Sequence, residues 1–345
     1  MKASVQRTTI RRGSVEQRAW HFAIRIVVGF LVAAVALAMQ GEAWAQSDWP
    51  SRPVTIIVPY SVGTAPDVIA RQLADQLSSR IGQPVVVEDR TGAGGLVGTQ
   101  YAAGMRPDGY SLFLGGMDTQ AIIGHLYRNI SIDPVAAFAG ISLIGQVNNV
   151  VSASPMLNIH SMATLIDEGK KGRSFTFATP GVGSNPHLLG ALLKQRTGVD
   201  FVHVPYSQAS TGYTDAMAGR VDLVISGLPP VASLLADKRL IPLVTTAAKR
   251  LPSLPDTPTM VELGYPDFIS VTWFALFAPA STPADIVEKL SRHVQAITTL
   301  EPYRAGMEKI WVSPLSSSPA DLDALVKADW IRMGDIIKSA NIVLP

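Results

Sequence analysis

Two strand-to-helix junctions, about 120 residues apart, repeat the same local pattern in this chain. In the first, the β-branched strand Val54–Val58 leads through a short loop into a helix that begins near Thr64. In the second, the strand Phe175–Thr179 leads through the glycine-containing loop 180–187 into another helix. The first N–H groups of a helix lack intrahelical partners and carry partial positive charge, so they attract anions. The two junctions therefore predict two lobes that hold one small anion between them.

The first 45 residues have the pattern of a secretory signal peptide. Six basic residues lie ahead of or beside the apolar run Ile26–Met39, and Ala43-Trp44-Ala45 fits a small-residue cleavage site. The apolar run has 14 residues, whereas a membrane helix needs roughly 20, although a membrane anchor is the alternative interpretation. We expect a protein that is cleaved near Ala45 and exported to a bacterial periplasm.

Charge and cysteine content exclude several functional classes. The full sequence has a formal net charge of +2, but residues 1–45 hold six basic and two acidic residues, so the remainder has −2. A nucleic-acid partner is therefore not expected. Because the chain has no cysteine, disulfides, thiolate metal ligands and a thiol nucleophile are excluded.

From Trp49 onward, short apolar strands alternate with amphipathic helices, which is typical of α/β proteins with parallel sheets. The apolar stretch 141–152 is interrupted by Gly145 and Asn148-Asn149, and we place the first crossing between lobes there. The prediction is a first lobe over 46–148, a second lobe over 149–262, and a segment 263–345 that returns to complete the first lobe. Two helices are predicted to close the chain, at Ala284–Thr299 and Ala320–Ser339.

The first loop offers candidate ligand contacts. Thr64-Ala-Pro-Asp67 has the spacing of a capping box, in which Thr64 accepts a helix N–H and the acid reaches back. Helix capping accounts for Asp67 whatever the protein does, so the functional hypothesis concerns the backbone before it. The candidates in this loop are Tyr60, Ser61, Gly63, Thr64 and Asp67.

The second loop gives a sharper signal. Its glycines allow a ligand to approach the backbone closely, and Ser184 offers a hydroxyl at the helix start. His187 falls in the first helical turn, where it either donates to a carboxylate or packs as a structural residue. The candidates here are Gly181, Gly183, Ser184, Asn185 and His187.

Cofactor and catalytic motifs are incomplete. In Gly92-Ala-Gly94-Gly95-Leu-Val-Gly98 the third glycine comes one position too late for a dinucleotide fingerprint, and tight strand–helix packing accounts for the glycines. No serine lies in a Gly-x-Ser-x-Gly pattern, and the six histidines lack metal-ligand spacing. We expect no cofactor, no metal and no enzymatic activity; an exported hydrolase or isomerase would need a catalytic group that is not assembled here.

Asp118 follows the end of a strand, just past Gly115-Gly116. Its expected place is the protein surface. If it faces the cleft instead, it would repel a dicarboxylate and favour a ligand that carries an amine.

Ordered matches along essentially all of the remaining chain resemble the Bug family, the extracytoplasmic solute receptors of tripartite tricarboxylate transporters. They include Val58-Pro-Tyr, Gly82-Gln-Pro-Val-Val-Val-Glu88, Arg90-Thr-Gly-Ala-Gly-Gly95, Pro107-Asp-Gly-Tyr110, His203-Val-Pro-Tyr206 and Gly219-Arg-Val-Asp-Leu223. Tyr206 in this set is a further candidate contact.

The resemblance implies a two-lobed, type II periplasmic-binding-protein fold with its ligand cleft between the lobes. It also implies a small carboxylate ligand held by Tyr60–Asp67 and Gly181–His187, hinge closure, and membrane transporter subunits as partners. We expect a monomer. A receptor that reports to a membrane sensor kinase without transport would have the same export and fold, so that alternative stays open.

The chain departs from the family pattern at the site. Ser61 and Val62 replace prolines, Thr64 replaces a glycine, and Pro66 precedes Asp67. Asp89 stands where asparagine is common, and Ser226-Gly227 stands where an acidic or amide side chain is common. Ser226 is therefore a secondary candidate, beside Asp118, which is a candidate for its place at a strand end. These changes concern ligand geometry rather than the fold.

Overall fold

The computed structural model describes residues 49–127, 130–206, 208–266 and 268–342. The predicted signal peptide lies outside these ranges. The chain divides into two compact units, Met1–Ser51 and Arg52–Pro345, and the elements given below belong to the second unit. Among the helices of the described ranges, none is long and apolar enough to span a membrane.

Three parallel strands form one end of a ten-stranded sheet: β1 (Val54–Val58), β2 (Val85–Asp89) and β3 (Ser111–Gly116), in the order β2-β1-β3. All five residues of β1 are β-branched, which suits a strand buried between two neighbours. Helix α1 (Ala65–Ile81) joins β1 to β2, and α2 (Leu96–Ala103) precedes β3. After β3, a π-helical turn over Asp118–Ile122 leads into the short helix α3 (Ile123–Leu126).

The long strand β4 (Phe138–Ala153) belongs to both halves of the sheet. Up to Asn148 it pairs antiparallel with β9 (Val271–Pro279), which also pairs with β3. From Asn149 onward β4 pairs antiparallel with β7 (Leu223–Gly227). The partner of β4 thus changes between two adjacent asparagines.

The second half of the sheet contains the parallel strands β5 (Phe175–Thr179) and β6 (Phe201–Pro205), with β5 next to β7 and β8 (Ile241–Thr245) paired to β4. The helices of this half surround the strands. They are α4 (Met162–Lys170), α5 (Asn185–Thr197), α6 (Ala209–Met217) and α7 (Ala232–Ala236).

The C-terminal part differs from the sequence prediction of two closing helices. Three helices follow β9: α8 (Ala284–Thr298), α9 (Glu301–Lys309) and α10 (Pro319–Ser339), with the two-residue strand β10 (Ser313–Pro314) before the last. Helix α9 forms because Pro302 fits the first turn, where no N–H is needed. Tyr303 and Met307, four residues apart, are its buried side chains.

An ion cluster anchors α1 to β2. Arg71 Nε lies 2.7 Å from Oδ1 of Asp67, and its guanidinium lies 2.8 Å from Oδ2 of Asp89. Asp67 is buried, and burial followed by the negative charge of Asp67 raises the pKa of Asp89. Arg71 therefore pairs with two neighbouring carboxylates at once.

We expect Arg71→Gln to lower the free energy of unfolding at pH 7 by about 1 to 2 kcal/mol, because the buried carboxylate of Asp67 and the partly buried carboxylate of Asp89 lose their counter-charge. The loss is smaller than for a fully buried pair, since the Arg71 side chain is 48% exposed. Because Asp89 binds a proton more readily than an ordinary aspartate, the loss should shrink as the pH falls toward 4.5.

Urea unfolding at the two pH values measures this change. Arg239→Gln, which removes an exposed arginine elsewhere, serves as the control. A loss of equal size at both pH values would show that the two carboxylates do not depend on Arg71.

Candidate functional site

A cavity of about 1070 Å³ lies at the carboxyl ends of β1, β2, β3, β5 and β7, beside the crossing strands β4 and β9. Ligands of α/β sheets characteristically bind at this end of the strands. Of the sequence-predicted candidates, nine line the cavity: Tyr60, Ser61, Gly63, Thr64, Asp118, Gly181, Gly183, Ser184 and Asn185. The other four, Asp67, His187, Tyr206 and Ser226, do not line it.

The two loops share one pattern of residues. Gly63-Thr64-Ala65-Pro66-Asp67 and Gly183-Ser184-Asn185-Pro186-His187 occupy equivalent places, with Thr64 and Ser184 at the helix N-caps. Both glycines have a left-handed backbone, with φ of 79° and 80°. In both loops the N-cap hydroxyl donates to the carbonyl oxygen three residues earlier, at 2.6 Å from Thr64 and 2.8 Å from Ser184.

One hydrogen bond closes each loop. The N–H of Gly63 donates to Oδ2 of Asp67 at 2.7 Å, and the N–H of Gly183 donates to Nδ1 of His187 at 3.1 Å. The side chains of Asp67 and His187 therefore hold the loops from behind. Within the described ranges, the N–H groups of Val62 and Ala65 in the first loop have no hydrogen-bond partner.

The predicted capping box forms only in part. Asp67 does reach back, but to the N–H of Gly63 rather than to that of the N-cap Thr64. Thr64 accepts no helix N–H, so that part of the prediction is wrong. The short bond from the Thr64 hydroxyl to Ser61 keeps its oxygen over the loop. Ser184 does act as a cap, since its Oγ accepts the N–H of His187 at 3.4 Å.

A stacked histidine pair supports the second loop. The rings of His187 and His203 lie 3.8 Å apart, and His203 Nε2 lies 2.6 Å from Oγ1 of Thr179. Burial lowers the pKa of His187; burial together with the charge of His187 lowers the pKa of His203 to about 4. The bond from Gly183 requires an unprotonated Nδ1, which agrees with a neutral His187.

Tyr206 and Ser226 bond to α6 rather than facing the cavity. The Tyr206 hydroxyl donates to Oδ2 of Asp215 at 2.8 Å. Ser226 is buried, and its Oγ lies 3.1 Å from the hydroxyl of Tyr213. Both side chains therefore attach α6 to the neighbouring strands.

Asp118 does not lie on the surface, contrary to the sequence expectation. It lines the cavity, and its carboxylate faces the start of α5. Burial raises the pKa of Asp118 to about 6, and the nearby backbone N–H of Asn185 opposes that rise. The π-helical turn that starts at Asp118 explains the difference, because it directs the side chain inward.

Several lining residues were missed by the sequence analysis. Asn149 and Thr272 come from the crossing strands, and Lys309 and Trp311 come from the end of the unpredicted helix α9 and the turn after it. Trp311 has a left-handed backbone, with φ of 59°, and is 39% exposed. The polar pair Asn148-Asn149 within an apolar strand was the one signal that could have marked this part of the cavity.

Glycine packing explains the incomplete dinucleotide pattern. A Cβ at Gly98 would lie 2.5 Å from the carbonyl oxygen of Arg90 and 2.8 Å from Cα of Pro59, so α2 needs a glycine to pack there. In the described part of the chain, no group of three or more histidine or acidic side chains could hold a metal ion.

Comparison with known proteins identifies the class of this site. The profile of the tripartite tricarboxylate transporter family receptors, TctC, matches residues 69–342. Protein BugT of Bordetella pertussis is 30% identical over 317 residues, which is 91% of this chain and 96% of that protein.

Solved structures of similar proteins indicate the same class. Rpa4515 of Rhodopseudomonas palustris with adipate has a TM-score of 0.75 and 33% identity, covering 86% of this chain and 100% of that one. The periplasmic binding protein BugD has a TM-score of 0.71 and 30% identity, over 86% and 100% of the two chains. MatC of Rhodopseudomonas palustris with bound malate has a TM-score of 0.70 and 26% identity, over 84% and 100%.

The fold is therefore that of the two-lobed periplasmic binding proteins, and the chain belongs to the tripartite tricarboxylate transporter receptor family. Receptors of this family are solute-binding proteins. The sequence-based assignments of the Bug family and of the fold class are confirmed.

The equivalent glycines allow a matched test of loop packing. An added Cβ at Gly63 meets no atom within 4 Å, whereas at Gly183 it would lie 2.3 Å from Cδ1 of Leu126. Gly63→Ala should lower the free energy of unfolding by about 1 to 2 kcal/mol, from the left-handed backbone alone. Gly183→Ala should lower it by about 1 to 3 kcal/mol more than Gly63→Ala does, because Leu126 must move. Chemical unfolding measures both; equal losses would contradict the contact with Leu126.

The histidine pair should make the protein sensitive to acid. Between pH 6.5 and about pH 4, the unfolded chain binds protons on His187 and His203 that the folded chain does not bind. The free energy of unfolding therefore decreases as the pH is lowered through this range. His187→Asn keeps a neutral acceptor for Gly183 but removes one titrating group, and its stability should fall less over this range.

The measurement is the free energy of unfolding at several pH values, with His160→Asn, which replaces an exposed imidazole, as control. Parallel curves for the wild type and His187→Asn would show that the folded protein does not hold His187 neutral.

Proposed function

We propose that this protein is a periplasmic receptor that captures a small carboxylate between its lobes and delivers it to a tripartite tricarboxylate-type membrane transporter. The observation that carries the proposal is that both glycine loops open onto the same cavity, each at the start of a helix of thirteen or more residues. Helix starts of this kind bind anions through backbone N–H groups. The similar proteins with adipate and malate support a carboxylate ligand.

Export is part of the same proposal. The signal-peptide pattern of residues 1–45, with cleavage near Ala45, would place the mature receptor in the periplasm. Its role there is binding rather than catalysis, because the polar groups at the cavity are loop N–H groups, caps and isolated side chains rather than a nucleophile with its base. We propose that it acts as a monomer.

Hinge closure would involve the two crossings between the halves of the sheet. One is β4 at Asn148-Asn149; the other is the segment that precedes β9. The two crossings touch, since Asn149 Nδ2 donates to the carbonyl oxygen of Ser270 at 3.1 Å. We place the lobe boundaries there, at 148/149 and 262/263, and expect a ligand that contacts both loops to select the closed state.

Thermal unfolding of the processed protein, freed of carried-over ligand by unfolding and refolding, tests the proposal. A panel of mono-, di- and tricarboxylates, amino acids and aromatic acids is compared with the corresponding amides. A bound ligand at 100 times its Kd should stabilise the protein by about 2.7 kcal/mol, and the uncharged amide should not. No stabilisation by any carboxylate, or equal stabilisation by the amides, would refute a carboxylate receptor.

A further inference from the structure

One difference between the two loops is what the first N–H of each helix faces. In the first loop, the N–H of Ala65 has no hydrogen-bond partner in the described ranges. In the second loop, the equivalent N–H of Asn185 lies near the carboxylate of Asp118 and favours its charged form. The chain's own acid thus occupies part of the second anion-binding position.

The carboxylate of Asp118 is incompletely satisfied. Its Oδ1 is buried, and no described residue supplies a hydrogen bond to it. An unpaired buried carboxylate oxygen is costly, so a ligand that donates to it would gain binding free energy. With a pKa of about 6, Asp118 still carries most of its negative charge at pH 7.

Charges nearby do not neutralise Asp118. Among the described cavity-lining residues, the other charged side chain is Lys309, at the exposed end of α9. Arg71 behind the first loop is paired with Asp67 and Asp89. Tyr60 stays neutral, because burial and then the charge of Asp118 raise its pKa. A ligand carboxylate placed beside Asp118 would therefore meet an uncompensated like charge.

We propose that the ligand is a carboxylate that also carries an ammonium group, with its carboxylate at the free N–H groups of the first loop and its ammonium at Asp118. This inference rests on the proposed carboxylate-binding function and narrows its ligand class to zwitterions. A dicarboxylate fits poorly, because its second carboxylate would lie against Asp118.

The test uses four ligands that share a six-carbon chain: hexanoate, 6-aminohexanoate, 2-aminohexanoate and adipate. Binding of each to the processed, ligand-free protein is measured by calorimetry at pH 7. One of the two amino acids should bind about 10- to 100-fold more tightly than both hexanoate and adipate, as expected for a charged hydrogen bond. In Asp118→Asn this preference over adipate should be lost or reversed.

Asp75→Asn, which removes an exposed acid from α1, is the matched control and should keep the wild-type preference. Asp118→Ser provides a second variant in case Asp118→Asn unfolds, and circular dichroism checks both. Tighter binding of adipate than of either amino acid would contradict the zwitterion inference. An amino-acid preference that is unchanged in both Asp118 variants would contradict it as well. Neither result would contradict the proposal of a carboxylate receptor. Failure of every carboxylate in this set and in the thermal panel would overturn both.

Discussion

The site depends on one repeated interaction, in which a glycine N–H at the turn donates to a side chain four residues later. Asp67 accepts it in the first loop and His187 in the second. Each acceptor sits in the first turn of its helix and holds the loop from the side away from the cavity, which lets the glycine keep its left-handed backbone. Since these N–H groups are used internally, the groups left for a ligand are their neighbours, such as those of Val62 and Ala65.

The two acceptors differ in charge. Asp67 is an anion whose charge is balanced by Arg71, whereas His187 must be neutral to accept a hydrogen bond at Nδ1. Burial favours that neutral form. The first loop is thus tied into an ion cluster with β2, and the second into an aromatic pair with β6, although the backbone pattern of the two loops is the same. Equivalent geometry is reached with different chemistry.

Much of this arrangement could be predicted from sequence, and the failures have physical causes. The strands Val54–Val58 and Phe175–Thr179 were predicted with their observed bounds, because short apolar runs ending at proline or a glycine loop leave few alternatives. Loop residues after a strand were predictable as cavity-lining because carboxyl ends of parallel strands meet. Lys309 and Trp311 could not be predicted as cavity-lining residues. They reach the cavity through α9 and the turn after it, and the start of α9 at Glu301-Pro302 was not recognised in the sequence. Local sequence also could not show whether the Tyr206 hydroxyl faces the cavity or bonds to Asp215, as it does in the structure.

Asp118 shows most clearly what local sequence does not determine. An acid after two glycines is compatible with a surface turn, and only the π-helical turn after β3 brings it to the start of α5. Once there, it changes the electrostatic role of the second loop. A helix start that would attract a ligand anion instead faces an internal one, which weakens the attraction for an outside anion there relative to the first loop. The acidic charge among the described cavity-lining residues therefore comes from one residue in the connection between β3 and α3, while the two loops keep the same backbone pattern.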